Sequence, residues 1–102
     1  MLSATFTARF SRDVKRCQKR HWDMAPFKQA IVALLHSDET ALASTYRDHA
    51  LQGNLSGYRS LHVPTRGNPP KNSWVLMYRV DGREVTFVRT GSHDEVYGRQ
   101  EA

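Results

Sequence analysis

Alternation of apolar and polar residues divides the chain into a helical N-terminal half and a C-terminal half made of strands. Residues 3 to 7 alternate in this way, which predicts a short first strand. In residues 8 to 22, Phe10, Val14 and Cys17 recur at spacings of four and three, so they share one helix face. The sequence therefore predicts a strand followed by an amphipathic helix.

A second helix is predicted after Asp23, which can cap its first turn, with Pro26 where a missing N–H costs little. Apolar residues then form a stripe along one face: Phe27, Ala30, Ile31, Leu34 and Leu35. We expect this helix to end between His36 and Asp38. Residues 38 to 57 are rich in polar side chains and predict a long connection.

Three further strands are predicted in the second half of the chain: residues 58 to 63, 73 to 80 and 84 to 90. Asp81 and Gly82 tolerate the backbone of a tight hairpin, so the last two strands are expected to pair. Residues 64 to 72 contain glycine and three prolines, which predicts a mobile basic loop. Residues 92 to 98 can form a closing helical turn.

The order strand, helix, helix, strand, strand, strand predicts an α+β fold with two layers, in which the helices pack on one face of an antiparallel sheet. Its 102 residues fit one domain, residues 1 to 102. Residues 74 to 77 are apolar in succession, which indicates that this strand is partly covered on both faces.

Charge and cysteine content narrow the class of protein. The net charge is +5, which favours a polyanionic partner, although an ordinary basic surface and an acidic protein partner remain open. The single cysteine, Cys17, excludes an internal disulfide and is interpreted as a core residue. No signal peptide and no apolar run long enough for a membrane span is recognisable, so we expect a soluble, cytoplasmic protein.

The first predicted helix has a strongly basic outer face. Its members are Arg9, Arg12, Lys15, Arg16, Lys19 and Arg20. The face is either a solvated surface, a rail for an RNA backbone or a dock for an acidic partner.

Candidate chemistry is carried by His49, His62 and His93, each of which has an arginine nearby in sequence. Histidine exchanges protons near neutral pH, and arginine matches phosphate geometry. Two histidines can act as general base and general acid when the 2′-hydroxyl of RNA attacks its own phosphodiester, and an arginine can stabilise the developing negative charge. Strand alternation places His62 with Ser60 and away from Leu61, which favours a polar cleft.

Other chemistries have weaker support in the sequence. Three histidines with Asp48 or Asp94 could bind zinc, but no close ligand spacing and no second cysteine are present. There is no nucleophile elbow for a Ser-His-Asp hydrolase and no glycine-rich phosphate loop. We therefore predict neither a metal nor another cofactor.

Several segments resemble the YafQ-type toxins of the RelE superfamily: residues 46 to 53, 57 to 59, 74 to 78 and 87 to 93, together with the end of the first helix. The resemblance implies a bacterial type II toxin, an endoribonuclease that cuts mRNA in the A site of the 70S ribosome. It also implies a cognate acidic antitoxin, similar to DinJ or RelB, whose ribbon-helix-helix part binds DNA. Operator DNA would be contacted only through that antitoxin.

Carried over by position, the resemblance makes His49, His62 and His93 active-site histidines and Arg89 the phosphate-binding arginine. The residues expected to contact RNA are Tyr97, Arg59, Trp74, Lys15, Arg16, Lys19, Arg20, Arg66 and Lys71. Trp74 fits either core or cleft, while Arg66 and Lys71 belong to a loop that looks longer than usual. Ser60 and Ser73 stand where some members carry aspartates.

The interpretation leaves two other functions open. A toxin of the same fold that acts on gyrase, as ParE-like chains do, generally lacks this histidine set. A plain nucleic-acid-binding module would bind RNA or DNA without cutting it. Within the nuclease hypothesis, we expect His49 or His62 to take the 2′-hydroxyl proton and His93 to protonate the leaving oxygen.

Overall fold

The computed structural model describes residues 1–98, which form one mixed sheet with helices against it. The strands are β1 (Ser3–Phe6), β2 (His49–Ala50), β3 (Arg59–His62), β4 (Trp74–Asp81) and β5 (Glu84–Ser92). The helices within these residues are α1 (Ala8–Lys19), α2 (Met24–Leu35), α3 (Glu39–Ser44) and α4 (His93–Tyr97). The strand order is β1-β5-β4-β3-β2. The predicted α+β class is confirmed.

Both predicted N-terminal helices form, and each begins at a capping side chain. The Thr7 hydroxyl accepts the Phe10 N–H, and the Asp23 carboxylate accepts the Ala25 N–H. These bonds satisfy donors that the first helical turn leaves free. Helix α1 ends at Lys19, earlier than predicted, because the chain turns at His21, whose φ of 61° lies in the left-handed region.

The sheet is antiparallel from β2 to β5 but parallel at its other edge. Ser3 to Phe6 of β1 run alongside Glu84 to Phe87 of β5 in the same direction. The expectation of a purely antiparallel sheet is therefore wrong at this edge. A strand that is separated from its neighbour by helices has enough intervening chain to pair in parallel. The hairpin between β4 and β5 is confirmed, with Gly82 at φ 62°.

Three short elements lie inside the stretch predicted to be a connection, residues 38 to 57: α3, β2 and a 3-10 turn at Gly53–Leu55. Asp38 caps α3 by accepting the Ala41 N–H. Strand β2 consists of two residues that pair with Ser60 and Arg59 of β3. Elements this short carry too little periodicity to be recognised by spacing.

The main core lies between the sheet and helices α1 and α2 and is built largely from aromatic rings. Trp74 packs against Trp22 and Phe27 with ring centroids 4.9 and 5.2 Å apart. Cys17 is fully buried here, and burial raises the pKa of its thiol to about 11. Its predicted role as a core residue is confirmed.

The other side of the sheet is covered over part of its width by α4, which contacts β4 and β5. Val75 and Met77 are buried but do not belong to the main core, which places them beneath this second cover. The sequence-based expectation that this strand is covered on both faces is confirmed. No helix within residues 1–98 has the length and apolar character required to span a bilayer.

Candidate active site

The side chains of β3 alternate between the two faces of the sheet. Leu61 belongs to the main core beneath the helices, so Ser60 and His62 lie on the opposite face. The pairing register adds His49, opposite Ser60, and Arg89, opposite Met77, to the same side. We call this side, defined by His49, Ser60, His62 and Arg89, the histidine face, and the other side the helix face.

The three predicted catalytic histidines come together on the histidine face. The ring centroids of His49 and His62 are 6.1 Å apart. Burial is the main cause that lowers the pKa of His62, followed by the positive charges of Arg47, His49 and His93. His93 begins α4, and its ring centroid lies 5.1 Å from that of Tyr97. The rings therefore converge although they come from distant parts of the sequence.

Two polar atoms of this cluster are buried without a hydrogen-bond partner within residues 1–98. They are the Nδ1 atom of His62 and the hydroxyl of Tyr97, which lies near the Ser60 side chain without a hydrogen bond of standard geometry. By contrast, His49 Nδ1 lies 3.2 Å from the Arg47 carbonyl oxygen. Because buried polar groups are almost always paired in native proteins, the unpaired atoms mark a place where a ligand or water completes the structure.

Arg89 is held by a carboxylate that the sequence analysis did not identify. The Arg89 Nε atom donates to the Asp13 carboxylate at 2.8 Å, and Nη2 donates to the Glu95 carbonyl oxygen at 3.2 Å. Asp13 is fully buried and also accepts the Thr90 N–H at 3.1 Å. Since β1 pairs with β5 only as far as Phe87, Asp13 satisfies a backbone donor where the neighbouring strand has ended.

Helix α4 is fastened to α1 by an ion-pair cluster. The Glu95 carboxylate accepts from Arg20 at 2.9 Å and lies 3.2 Å from Arg16 Nε. The hydrogen bonds from Arg20 lower the pKa of Glu95 to about 2. Glu95 also forms a capping box with Ser92, which starts α4.

These contacts occupy part of the basic face of α1, whose role as a rail for RNA stays a prediction. Arg16 and Arg20 are engaged by carboxylates and hold α4 in place, so they are not free cations. Lys15 and Lys19 are exposed, and their role in RNA contact stays a prediction.

Trp74 and Arg59 lie on the helix face. The prediction that Trp74 contacts RNA is wrong because the side chain is enclosed, whereas the Arg59 side chain is 40% exposed and its contact with RNA stays a prediction. Trp74 is fully buried, and its indole N–H donates to the Thr90 hydroxyl at 2.9 Å. Arg59 donates to the Asp48 carboxylate at 2.8 Å. Strand alternation turns both side chains away from His62.

The remaining predicted contacts are spread around the cluster. Tyr97 lies beside His93, and Arg66 and Lys71 are exposed in the loop before β4; contact of these three residues with RNA stays a prediction. Ser60 is buried beside the histidines, whereas the Ser73 hydroxyl donates to the Pro70 carbonyl oxygen at 2.6 Å. In the described part of the chain, no three histidine, cysteine or acidic side chains are grouped so that they could hold a metal ion.

A small α+β fold with clustered histidines and an anchored arginine on the open side of its sheet defines a toxin of the RelE-like superfamily. Residues 2–98 match the model of one family, described as the bacterial toxin of type II toxin–antitoxin systems, YafQ. The chain belongs to this family.

Relatives and solved structures agree with this assignment. The mRNA interferase toxin YafQ of Escherichia coli is 37% identical over 93 residues, covering 91% of this chain and 92% of the relative. A crystal structure of E. coli YafQ matches with a TM-score of 0.80 at 33% identity, covering 96% of this chain and 100% of that one.

Two further solved structures have a similar fold. The toxin in the E. coli DinJ–YafQ complex matches with a TM-score of 0.78 at 34% identity, over 95% of this chain and 98% of that one. A copper-bound mutant toxin from Helicobacter pylori matches with a TM-score of 0.79 at 26% identity, over 95% and 100%.

Proposed function

We propose that this chain is an mRNA interferase, an endoribonuclease that cuts translated mRNA in the ribosomal A site and thereby inhibits translation. The observation that carries the proposal is the convergence of His49, His62 and His93 on one open sheet face with Arg89 alongside. The name of the E. coli relative, an mRNA interferase, supports the same activity.

The proposed reaction needs no external nucleophile. The 2′-hydroxyl loses its proton to a base and attacks the adjacent phosphorus, the bond from phosphorus to the 5′-oxygen breaks, and an acid protonates that oxygen. The products are a 2′,3′-cyclic phosphate and a 5′-hydroxyl. Imidazoles supply both proton transfers, so this chemistry is metal-independent.

His62 is the base that the geometry favours. Its lowered pKa keeps the ring neutral, and so able to accept a proton, at neutral pH. His49 lies beside it with Nδ1 directed at a backbone carbonyl, which suits a role in positioning the substrate or the base. We therefore expect the acid limb of the pH–rate profile to fall below 6.5, the ordinary value for histidine.

His93 is assigned as the acid and Arg89 as the group that stabilises the phosphorane. His93 is exposed at the start of α4, where it can reach the leaving oxygen and exchange protons with water. The side chain of Arg89 is 16% exposed and fixed through Nε and Nη2, which presents its remaining edge in a preorganised position. Tyr97 stands beside His93 and can contact a base.

The proposed partners follow from charge and from the relatives. The E. coli YafQ relative is seen in complex with DinJ, and a net charge of +5 suits an acidic antitoxin of that kind. The chain is proposed to meet mRNA on the 70S ribosome, and operator DNA only through the antitoxin. Since its substrate is translated mRNA, its place of action is the cytoplasm.

Mapping of mRNA 5′ ends after induction tests the proposal. Wild-type protein is expected to produce breaks in translated messages only, and His93→Gln to reduce them by roughly 10²-fold or more. His36→Gln is the matched control, because that exposed histidine ends α2 away from the cluster. Full activity of His93→Gln, or DNA damage in place of translation arrest, contradicts the proposal.

A further inference from the structure

We propose that the cavity beside His62, lined by Arg47 and Lys71, binds a second RNA phosphate, adjacent in the chain to the one that is cut. This inference rests on the proposed nuclease function and extends it with a phosphate subsite that orients the substrate.

The cavity is small and continuous with the histidine face. Its volume is about 190 Å³, and its polar lining consists of Thr45, Arg47, His62, Thr65, Lys71 and Asn72. Because His62 forms part of its wall, an occupant lies directly against the proposed base. A chain threaded through the histidine cluster can therefore place its neighbouring phosphate here.

The charge of the cavity fits a phosphodiester. Arg47 and Lys71 enter from two separate segments, and no carboxylate belongs to the wall. Within residues 1–98, neither cation forms a salt bridge, whereas Arg16, Arg20, Arg59 and Arg89 all do. Unpaired guanidinium and ammonium groups beside hydroxyl and amide donors match the oxygens of a phosphate.

Arg47 is held in place by the backbone around it. Its φ of 53° lies in the left-handed region, which residues with a side chain rarely adopt. The carbonyl oxygen of Tyr46 accepts the His62 N–H at 2.8 Å, which ties this segment to the end of β3. Arg47 also acts on His62 electrostatically, because its positive charge contributes to lowering the pKa of His62. The cation and the proposed base therefore form one unit.

The salt dependence of RNA binding tests the subsite. The probe is a short single-stranded RNA made uncleavable by 2′-O-methylation at the scissile position. Each phosphate contact contributes roughly 0.7 to the slope of log K against log salt for single strands. Because the cavity is proposed to hold one phosphate, Arg47→Gln and Lys71→Gln together are expected to reduce the slope by about 0.7 and to weaken binding at low salt.

Two companion variants separate charge loss from damage to the fold. Arg83→Gln is the matched control, because it removes one exposed positive charge at the β4–β5 turn, the far end of the hairpin from His62. Arg47→Gly removes the guanidinium while leaving a residue that accepts the left-handed backbone without strain. It is expected to weaken binding at low salt, by less than the double variant does because Lys71 remains, without lowering the melting temperature.

An uncharged linkage in the RNA probe tests which phosphate the cavity binds. In the wild type, a methylphosphonate at the linkage next to the scissile one is expected to weaken binding. The same substitution should have no effect there in the Arg47→Gln, Lys71→Gln double variant. Equal losses in wild type and double variant, a slope no different from that of Arg83→Gln, or no binding of the probe by wild type overturns the subsite.

The outcome for the subsite is independent of the outcome for the nuclease. If wild-type protein cuts translated mRNA but the double variant binds RNA as the Arg83→Gln control does, the subsite is wrong and the nuclease proposal stands. If wild-type protein cuts no mRNA, the nuclease proposal fails, while the binding measurements still decide whether this cavity takes a phosphate.

Discussion

The two faces of the sheet are made by alternate residues of the same strands but differ in how completely their polar groups are satisfied. On the helix face, the Trp74 indole bonds to Thr90, and Tyr78 bonds to Asp48 at 3.1 Å. On the histidine face, His62 Nδ1 and the Tyr97 hydroxyl have no hydrogen-bond partner among residues 1–98. Arg16 Nε is also buried without a hydrogen bond, but it forms an ion pair with the Glu95 carboxylate 3.2 Å away.

This difference indicates that one face of the sheet stabilises the fold and the other face serves activity. The helix face buries aromatic and aliphatic side chains together, which supplies most of the hydrophobic stabilisation. The histidine face keeps polar groups clustered and incompletely paired, which is costly for folding but leaves them available to a substrate. Substitutions on the two faces should therefore separate activity from stability.

The largest expected effects on activity and stability come from substitutions of the adjacent β3 residues His62 and Leu61. His62→Gln is expected to lower the cleavage rate by roughly 10²- to 10⁴-fold, because it removes the proposed base. The variant should melt close to the wild-type temperature. Leu61→Ala, one residue away, is expected to lose roughly 2–5 kcal/mol of folding free energy because that side chain is fully buried.

Cleavage assays and thermal unfolding together check this pair. Leu61→Ala, assayed well below its melting temperature, should keep most of its activity per folded molecule. If His62→Gln instead unfolds the protein and keeps its activity when folded, the histidine face is structural. The proposal that the two faces separate activity from stability is then wrong.

Asp13→Asn probes the link between the two faces. The carboxylate is buried and serves Arg89, Arg16 and the Thr90 N–H together. Removing one partner of a buried ion pair leaves a charge uncompensated, so we expect a loss of about 3 kcal/mol in unfolding free energy. Arg12→Gln, an exposed change on the same helix, serves as the control.

As a positioning residue, Asp13 should affect turnover more than binding. We expect kcat to fall while the affinity for uncleavable RNA changes little, because Arg89 remains present but is no longer fixed. If affinity falls while kcat is unchanged, Arg89 contributes equally in the ground state and the transition state, which contradicts the positioning role.

The sequence predicted the histidine face well but the support of Arg89 poorly, and the reason is physical. Alternation along β3 places His62 away from Leu61, and this depends only on strand geometry. The burial of Asp13 depends on where β1 stops pairing with β5, which no local pattern records. In sequence, Asp13 stands among basic residues on a helix and is indistinguishable from a solvated carboxylate. Trp74 was ambiguous for the same reason, since an aromatic residue fits a core or a cleft equally well.

Exchanging one polar atom on each face gives a smaller, sharper comparison. Trp74→Phe removes the buried indole N–H that bonds to Thr90, so it is expected to cost about 1 kcal/mol of stability and leave RNA affinity unchanged. Tyr97→Phe removes a buried hydroxyl whose contact with Ser60 falls short of standard hydrogen-bond geometry, so it should cost less stability than Trp74→Phe does. Denaturant titration measures the stability of both variants, and a binding assay measures their affinity for RNA. A loss of RNA affinity in Trp74→Phe would show that Trp74 contributes to the RNA site.

The smallest expected effect is a pH dependence that reports whether α4 stays over the histidine face. The pKa of Glu95 is lowered from 4.5 to about 2 in the folded protein, mainly by its hydrogen bonds to Arg20. A carboxyl whose folded pKa is depressed stabilises the fold above its unfolded pKa, and this contribution is lost as pH falls from about 4.5 towards 2.

Because Arg16 and Arg20 are both more than one third exposed, the contribution is expected to be about 1 kcal/mol. Glu95→Gln should remove this part of the acid dependence, while Glu84→Gln on the hairpin should preserve it. Since Arg89 Nη2 donates to the Glu95 carbonyl oxygen, release of α4 also removes one support of the arginine. Unfolding curves from pH 2 to 6 that are identical in the two variants would show that the Glu95 carboxylate does not hold α4 in place.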